Sequence, residues 1–183
     1  MTIRMNPLMR SYLIDYDQYE TILQIDQLDR EQMFAELPAD LAQFLAAPIL
    51  QDADGNYLIA SEKNMELVET GHKPDYSYHG NRTWFECDEN KVNLRDFGIA
   101  EEYSNNLEYQ SELFLKYGLF FSLLLFDKLS RIGDAEFEVI FVFSIFRYVD
   151  SVIMFHAIRK DEFYIEEGFE KQPLIQGILT LEE

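Results

Sequence analysis

Cationic side chains are scarce in this chain of 183 residues: Lys and Arg number 15 against 34 Asp and Glu, a formal net charge of −19. Sequence-independent nucleic-acid binders draw their affinity from Lys and Arg that neutralise phosphates, and no strongly basic face is visible here, so that role is excluded. Cysteine is scarcer still. With Cys87 alone there is no internal disulfide framework, and a reducing cytoplasm is the expected setting. Export is not expected either, because Arg10, Asp15, Asp17 and Glu20 follow Arg4 too soon to leave an apolar core of signal-peptide length. The most apolar stretch, residues 119–126 between Lys116 and Asp127, falls far below the roughly 20 residues of a membrane helix and reads as core. Neither a glycine-rich phosphate loop nor a Gly-x-Ser-x-Gly elbow occurs, which removes the commonest nucleotide-binding and hydrolase readings.

What is present is apolar and aromatic. The chain is 48% hydrophobic and 15% aromatic, unlike a disordered acidic tail, and its length suits one domain of ordinary size, residues 1–183, that folds without disulfides or a structural metal. Met33, Phe34 and Leu37 at helical spacing predict a helix over 29–37. Pro38 starts a second over 39–46, with Leu41, Phe44 and Leu45 on its apolar face, and Pro48 closes it. The turn formers of 52–56 introduce a meander: strands at 57–60 and 65–70, continuing through 76–78 and 82–87. In the last of these, Arg82, Trp84 and Glu86 would face one way and Thr83, Phe85 and Cys87 the other. From Ile99 to Leu129 the period changes, with Tyr103, Leu107, Phe114, Tyr117, Phe121 and Leu124 at three- and four-residue steps. That predicts a long helix, or two broken near Gly118, with Asp96 as N-cap and Glu101 and Glu102 in the first turns. Residues 137–146 are β-branched and aromatic on both faces, as in a central strand covered on each side, and 151–159 are similar. Residues 162–165 read as a hairpin partner. The expected fold is one α+β domain: a mainly antiparallel sheet, one long helix and short N-terminal helices.

Most candidate sites reduce to local structure. Asp96-Phe97-Gly98 imitates a kinase metal triplet without the rest of that machinery, and reads as a helix cap. Placing Gly55 at the sixth position of a calcium loop puts Leu50 and Ser61 where carboxylates are needed, so Asp52 and Asp54 read as turn residues. His72, His79 and Cys87 fit no standard zinc spacing, and no metal or cofactor is expected. The remaining alternative of that class is a small metal- or ligand-binding enzyme assembled from Cys87, histidines and carboxylates. Paired glycosidase-type carboxylates lack a second motif.

The positive signal is carboxylates beside aromatics. Glu86, Asp88 and Glu89 follow Tyr76, Tyr78 and Trp84, while Glu101 and Glu102 line the exposed side of the predicted long helix. These eight side chains are the predicted partner-binding set, a docking surface for a basic protein rather than a catalytic site. Aromatics would supply interface energy and distributed negative charge would speed encounter. An acidic adaptor for some other basic protein would use the same features.

In size, acidity, lack of catalytic motif and lack of export signal, the chain resembles bacterial immunity proteins, the small cytoplasmic partners that neutralise cognate toxin domains. More narrowly it resembles those of contact-dependent growth inhibition systems paired with EndoU-like RNA-cleaving toxins, with residues 76–89 and the 137–146 strand contributing most. The resemblance implies no catalysis and no direct contact with nucleic acid or membrane. It implies a toxin with a basic RNA-binding cleft, which the inhibitor covers or fills with carboxylates in place of phosphate. It also implies a fold related to the Whirly nucleic-acid-binding proteins, although no Lys-Gly-Lys-type basic motif is present.

Overall fold

A computed structural model describes residues 1–24, 27–71, 73–74, 76–97, 106–145, 149–166, 168–171 and 176–182. The first part of the chain runs β1 (Thr2–Met5), α1 (Pro7–Asp15), α2 (Tyr19–Leu23), α3 (Arg30–Glu36), α4 (Ala39–Ala46), β2 (Ile49–Gln51) and β3 (Tyr57–Ile59). Helices α5 (Glu62–Thr70), α6 (Tyr76–His79) and α7 (Arg82–Glu89) follow, then β4 (Val92–Asn93), α8 (Leu107–Leu129), β5 (Phe137–Ile145), β6 (Val149–Ala157) and β7 (Gly177–Glu182). The fold is α+β, as the periodicity of the sequence predicts.

Period-two alternation builds the centre of the molecule. Strands β5 and β6 form a hairpin in which Phe137 pairs with Ala157 and Ile145 with Val149. Phe137, Val139, Phe141 and Phe143 enter the main core with Ile153, Phe155, Leu179 and Leu181, while Ile140, Val152, Met154 and Ile178 form a second cluster. Burial on both faces is what the 137–146 pattern requires. The five-stranded sheet has the order β1-β7-β5-β6-β4 and is antiparallel throughout. Strands β1 and β7 come from opposite ends of the chain, Thr2 opposite Glu182. Buried Asn6 fixes that junction: its Oδ1 accepts from Met9 N, capping α1, and from Ile178 N, while Nδ2 donates to Gln176 O.

Helix α8 packs across β5 and β6 and runs unbroken through Gly118. Glycine is needed there: a Cβ at 118 would lie 2.3 Å from Phe141 Cζ. Gly118→Ala should cost about 1–3 kcal/mol through overpacking, although alanine favours a helix by about 1 kcal/mol. Phe141→Leu in the same chain should recover part of the loss in urea denaturation. A Gly118→Ala chain more stable than the parent would mean that this contact is slack. The helix begins at Asn106, whose Oδ1 accepts from Tyr109 N. Asp96 is not its cap but part of a short 3-10 turn, Leu94–Phe97; Ile99 and Tyr103, like Glu101 and Glu102, lie outside the described residues.

The predicted meander fails after β3. Residues 62–70, 76–79 and 82–89 are helical instead, the first capped by Ser61 Oγ accepting from Asn64 N and the last by Asn81 Oδ1 accepting from Trp84 N. The β3 edge that the next strand would occupy is filled by side chains. Glu86 Oε1 accepts from Tyr57 N, Asn90 Oδ1 from Ile59 N, and Asn90 and Asn64 donate to the Tyr57 and Ile59 carbonyls. With those backbone groups satisfied, no strand is required. Residues 162–165 add no strand to β6 either, since only a single bridge, Arg159 to Glu162, forms beyond the turn. The edge of β6 goes to β4. No described helix is long and apolar enough to cross a membrane.

Candidate functional site: a charged cleft beside helix α7

The sheet face away from α8 is apolar at one end, where Tyr164, Ile165, Phe169 and Cys87 cover Ile140 and Met154. At the other end it is ionic. Glu138 and His156 lie opposite each other in the hairpin register, and Glu182 lies opposite Glu138 on the other side. These side chains, with Arg4 and Arg159, line a cleft of about 440 Å³ that Ile158, Glu162, Phe163 and Ile165 also line.

Each charged group in the cleft has a partner. Arg4 donates from Nε to Glu170 at 2.9 Å and from Nη1 to Glu182 at 3.0 Å. The Glu170 bond, helped by Glu182, raises the Arg4 pKa above its ordinary value, and Arg4 lowers that of Glu170. Arg159 grips fully buried Glu86 with both terminal nitrogens, at 2.6 and 2.8 Å. Burial opposes the charge on Arg159 more than any other single effect, yet the bonds and charge of Glu86, with Glu162 and Tyr76 adding to them, outweigh it and the pKa rises. Glu162 Oε2 accepts from Thr83 N and Oγ1, both at 3.1 Å, in the first turn of α7, where a carboxylate complements the helix dipole. The cleft wall and α7 are thereby joined.

His156 is 2% exposed, and both of its ring nitrogens are engaged: Nε2 with Glu138 at 2.8 Å and Nδ1 with the Ala157 carbonyl at 3.0 Å. It offers no free nitrogen to act as a base on anything in the cleft. Cys87 lies in the buried apolar cluster, and burial drives its thiol pKa well above the ordinary range. A thiol reagent at mildly alkaline pH should therefore leave the native protein unlabelled and label it fully in guanidinium; rapid stoichiometric labelling of the native form would refute that burial. His79 Nδ1 faces Asp88 at 2.9 Å, and His72 lies outside the described residues. Among the described residues no group of three or more His, Cys, Asp and Glu could hold a metal ion.

Helix rather than strand at 82–89 redistributes the predicted partner-binding residues. Glu86, expected on the surface beside Trp84, is 0% exposed and ties α7 to β3 and β6, so it cannot touch a partner. Trp84 and Asp88, one helical turn apart, are exposed, and Tyr78 is 86% exposed with its ring 5.0 Å from His79. Glu89 is half-buried and holds Lys63 at 2.6 Å. Tyr76 is also half-buried: its hydroxyl accepts from Asn56 Nδ2 and its ring meets Phe85 edge-on. Asp52 is a turn residue, as expected, its Oδ1 accepting from Asp54 N and Asn56 N. Glu101 and Glu102 fall outside the described residues.

Glu138, His156, Arg159 and Phe163 escape sequence reasoning. The available signal was Glu138 and His156 as polar interruptions of two largely apolar strands, which only the register brings face to face. Phe163, 65% exposed, stands on the rim, and its neighbour Tyr164 packs on Trp84 with ring centroids 4.6 Å apart. Cleft and α7 thus share one surface. Compared with protein-family models, with curated proteins and with solved structures, the chain matches none.

Proposed function

We propose that this protein is a non-catalytic inhibitor that binds a basic protein domain, acting as a bacterial immunity protein acts on an RNA-cleaving toxin of contact-dependent growth inhibition. The observation that carries this reading is the row of exposed aromatics, Tyr78, Trp84 and Phe163, among the carboxylates of α7 and the cleft, in a chain of net charge −19. Aromatic rings on a surface supply contact area at low entropic cost, and carboxylates around them attract a basic partner and guide its approach.

The cleft sharpens the chemistry. Its lining carries Glu138, Glu162 and Glu182 against Arg4 and Arg159, and each arginine is also held by a carboxylate beyond the lining, Glu170 or Glu86. The balance is acidic. A Lys or Arg of the partner entering there would meet carboxylate oxygens, with Phe163 and Ile158 packed along its aliphatic stem. Side chains that otherwise hold RNA phosphates in the toxin would then be occupied, and catalysis by the inhibitor is not required.

The test begins with the product of the adjoining gene. A toxic, basic C-terminal domain there should be silenced when this protein is co-expressed, and the purified pair should form a complex. Association should slow several-fold from low to physiological salt, since exposed charges are screened over about 8–10 Å. Trp84→Ala combined with Asp88→Lys should weaken the complex about tenfold or more, roughly 1.4 kcal/mol, with thermal stability retained. Toxicity unaffected by co-expression, or affinity unchanged by the double substitution, would overturn the proposal.

A further inference from the structure

On the helical side of the sheet, the chain's scarce cations gather. Of its 15 Lys and Arg, Arg30, Lys128 and Arg131 line a single groove of about 440 Å³ between α3, the end of α4 and the C-terminal part of α8. Phe34, Leu45 and Leu124 supply the apolar lining, and Phe34 is 41% exposed, a large ring left facing water. We propose that this groove is a binding site for a small amphipathic carboxylate, with the headgroup at Arg131 and Lys128 and the apolar body along Phe34, Leu45 and Leu124.

The cations have distinct duties. Arg30 Nε holds Asp127 at 2.6 Å across α3 and α8, which cancels both charges. Lys128 Nζ donates to the carbonyls of Leu45 and Ala47, where α4 ends with unpaired carbonyls, and its burial pulls its pKa below the ordinary lysine value. Arg131, exposed just past the end of α8, has no side-chain partner among the described residues. The lining holds Arg30, Lys128 and Arg131 against Glu31 and Asp127, so 3 − 2 leaves one net positive charge in a molecule of −19. One positive charge matches a singly charged carboxylate better than a doubly charged phosphate monoester. The volume lies in the range of small-molecule sites, and apolar walls with a few polar groups are their usual make-up. This site shares no lining residue with the acidic cleft and does not depend on the proposed partner.

Decanoate, kept below its micelle concentration at physiological salt, is the probe. Titration followed by amide NMR should move the signals of Phe34, Leu124 and Arg131 with a Kd on the order of 1 mM or tighter. Decanol, which has the same tail without charge, should bind about tenfold more weakly. Arg131→Gln should weaken decanoate binding about tenfold, and Ala46→Trp, at an exposed lining position, should block it. The decanoate and decanol comparison uses the parent protein, so it stands even if a variant folds poorly. Equal binding of the two probes, no shift at these residues, or shifts confined to the acidic cleft would overturn the proposal. So would a solution dimer that dissociates on Phe34→Ser, because the groove would then belong to a second copy of the chain.

Discussion

Glu86→Gln should destabilise the protein by about 3–5 kcal/mol, as expected when one member of a buried ion pair is removed. That is a large part of the roughly 5–15 kcal/mol that holds a typical domain folded. The reason lies in what surrounds the carboxylate. Oε1 accepts from Tyr57 N and Arg159 Nη2, and Oε2 from Ala157 N and Arg159 Nη1. All four neighbours are donors. A glutamine must point its own NH2 at two of them, leaving donors face to face, with the arginine's charge uncompensated at a site where Glu86 is 0% exposed. Chemical denaturation measures the loss. In a double-mutant cycle, Glu86→Leu with Arg159→Met should cost less than the sum of the two single changes, because the second removes the charge that the first strands. Additive costs, or a Glu86→Gln protein as stable as the parent, would mean that water reaches this carboxylate.

Glu86 also explains where sequence reading fails. Residues 82–87 offer an alternation that suits a strand, yet the buried positions in and just after α7 include Thr83, Glu86, Cys87 and Asn90, at the i, i+3, i+4, i+7 spacing of a helix. The stripe is polar, so a reading that seeks periodic apolar residues passes over it. Polar residues line it because α7 stands where a strand would pair with β3, and Glu86 and Asn90 must make the backbone bonds of the missing neighbour. By contrast α4, α8, β5 and β6 were legible: their buried stripes are Leu, Phe, Ile and Val, and the period alone sets their type. Strands β1 and β7 were not legible, since the pairing of Thr2 with Glu182 is fixed by two chain ends meeting and leaves no local trace. For residues 82–89, the strand reading put Trp84 and Glu86 on one face, and the helix separates them. Trp84 and Asp88 project outward with Tyr78 nearby, Glu86 turns inward, and the cleft residues Glu138 and His156 meet only through the hairpin register.

The same substitution at Glu138 should have the opposite outcome. Nδ1 of His156 meets the Ala157 carbonyl, which can only accept, so Nδ1 carries a proton. Nε2 then either donates to an ionised Glu138 or accepts from a protonated one. Glu138→Gln satisfies the second arrangement without any charge: the amide NH2 donates to Nε2 of a neutral imidazole, and both histidine bonds survive. Its cost should stay within about 1 kcal/mol. Glu138→Ala and His156→Ala each leave a buried polar group without its partner and open a void beside the cleft, and should cost about 3 kcal/mol. Nitrogen NMR on His156 separates the two proton arrangements in the parent, and the Glu138→Gln variant should give a neutral ring with Nδ1 protonated in either case. If Glu138→Gln proves as damaging as Glu138→Ala, the pair needs full charge separation, and a cation entering the cleft would compete directly with His156 for Glu138. If it is mild, a cation entering the cleft would meet the charges of Glu162 and Glu182, and the His156 pair serves to hold β5 and β6 in register beside them.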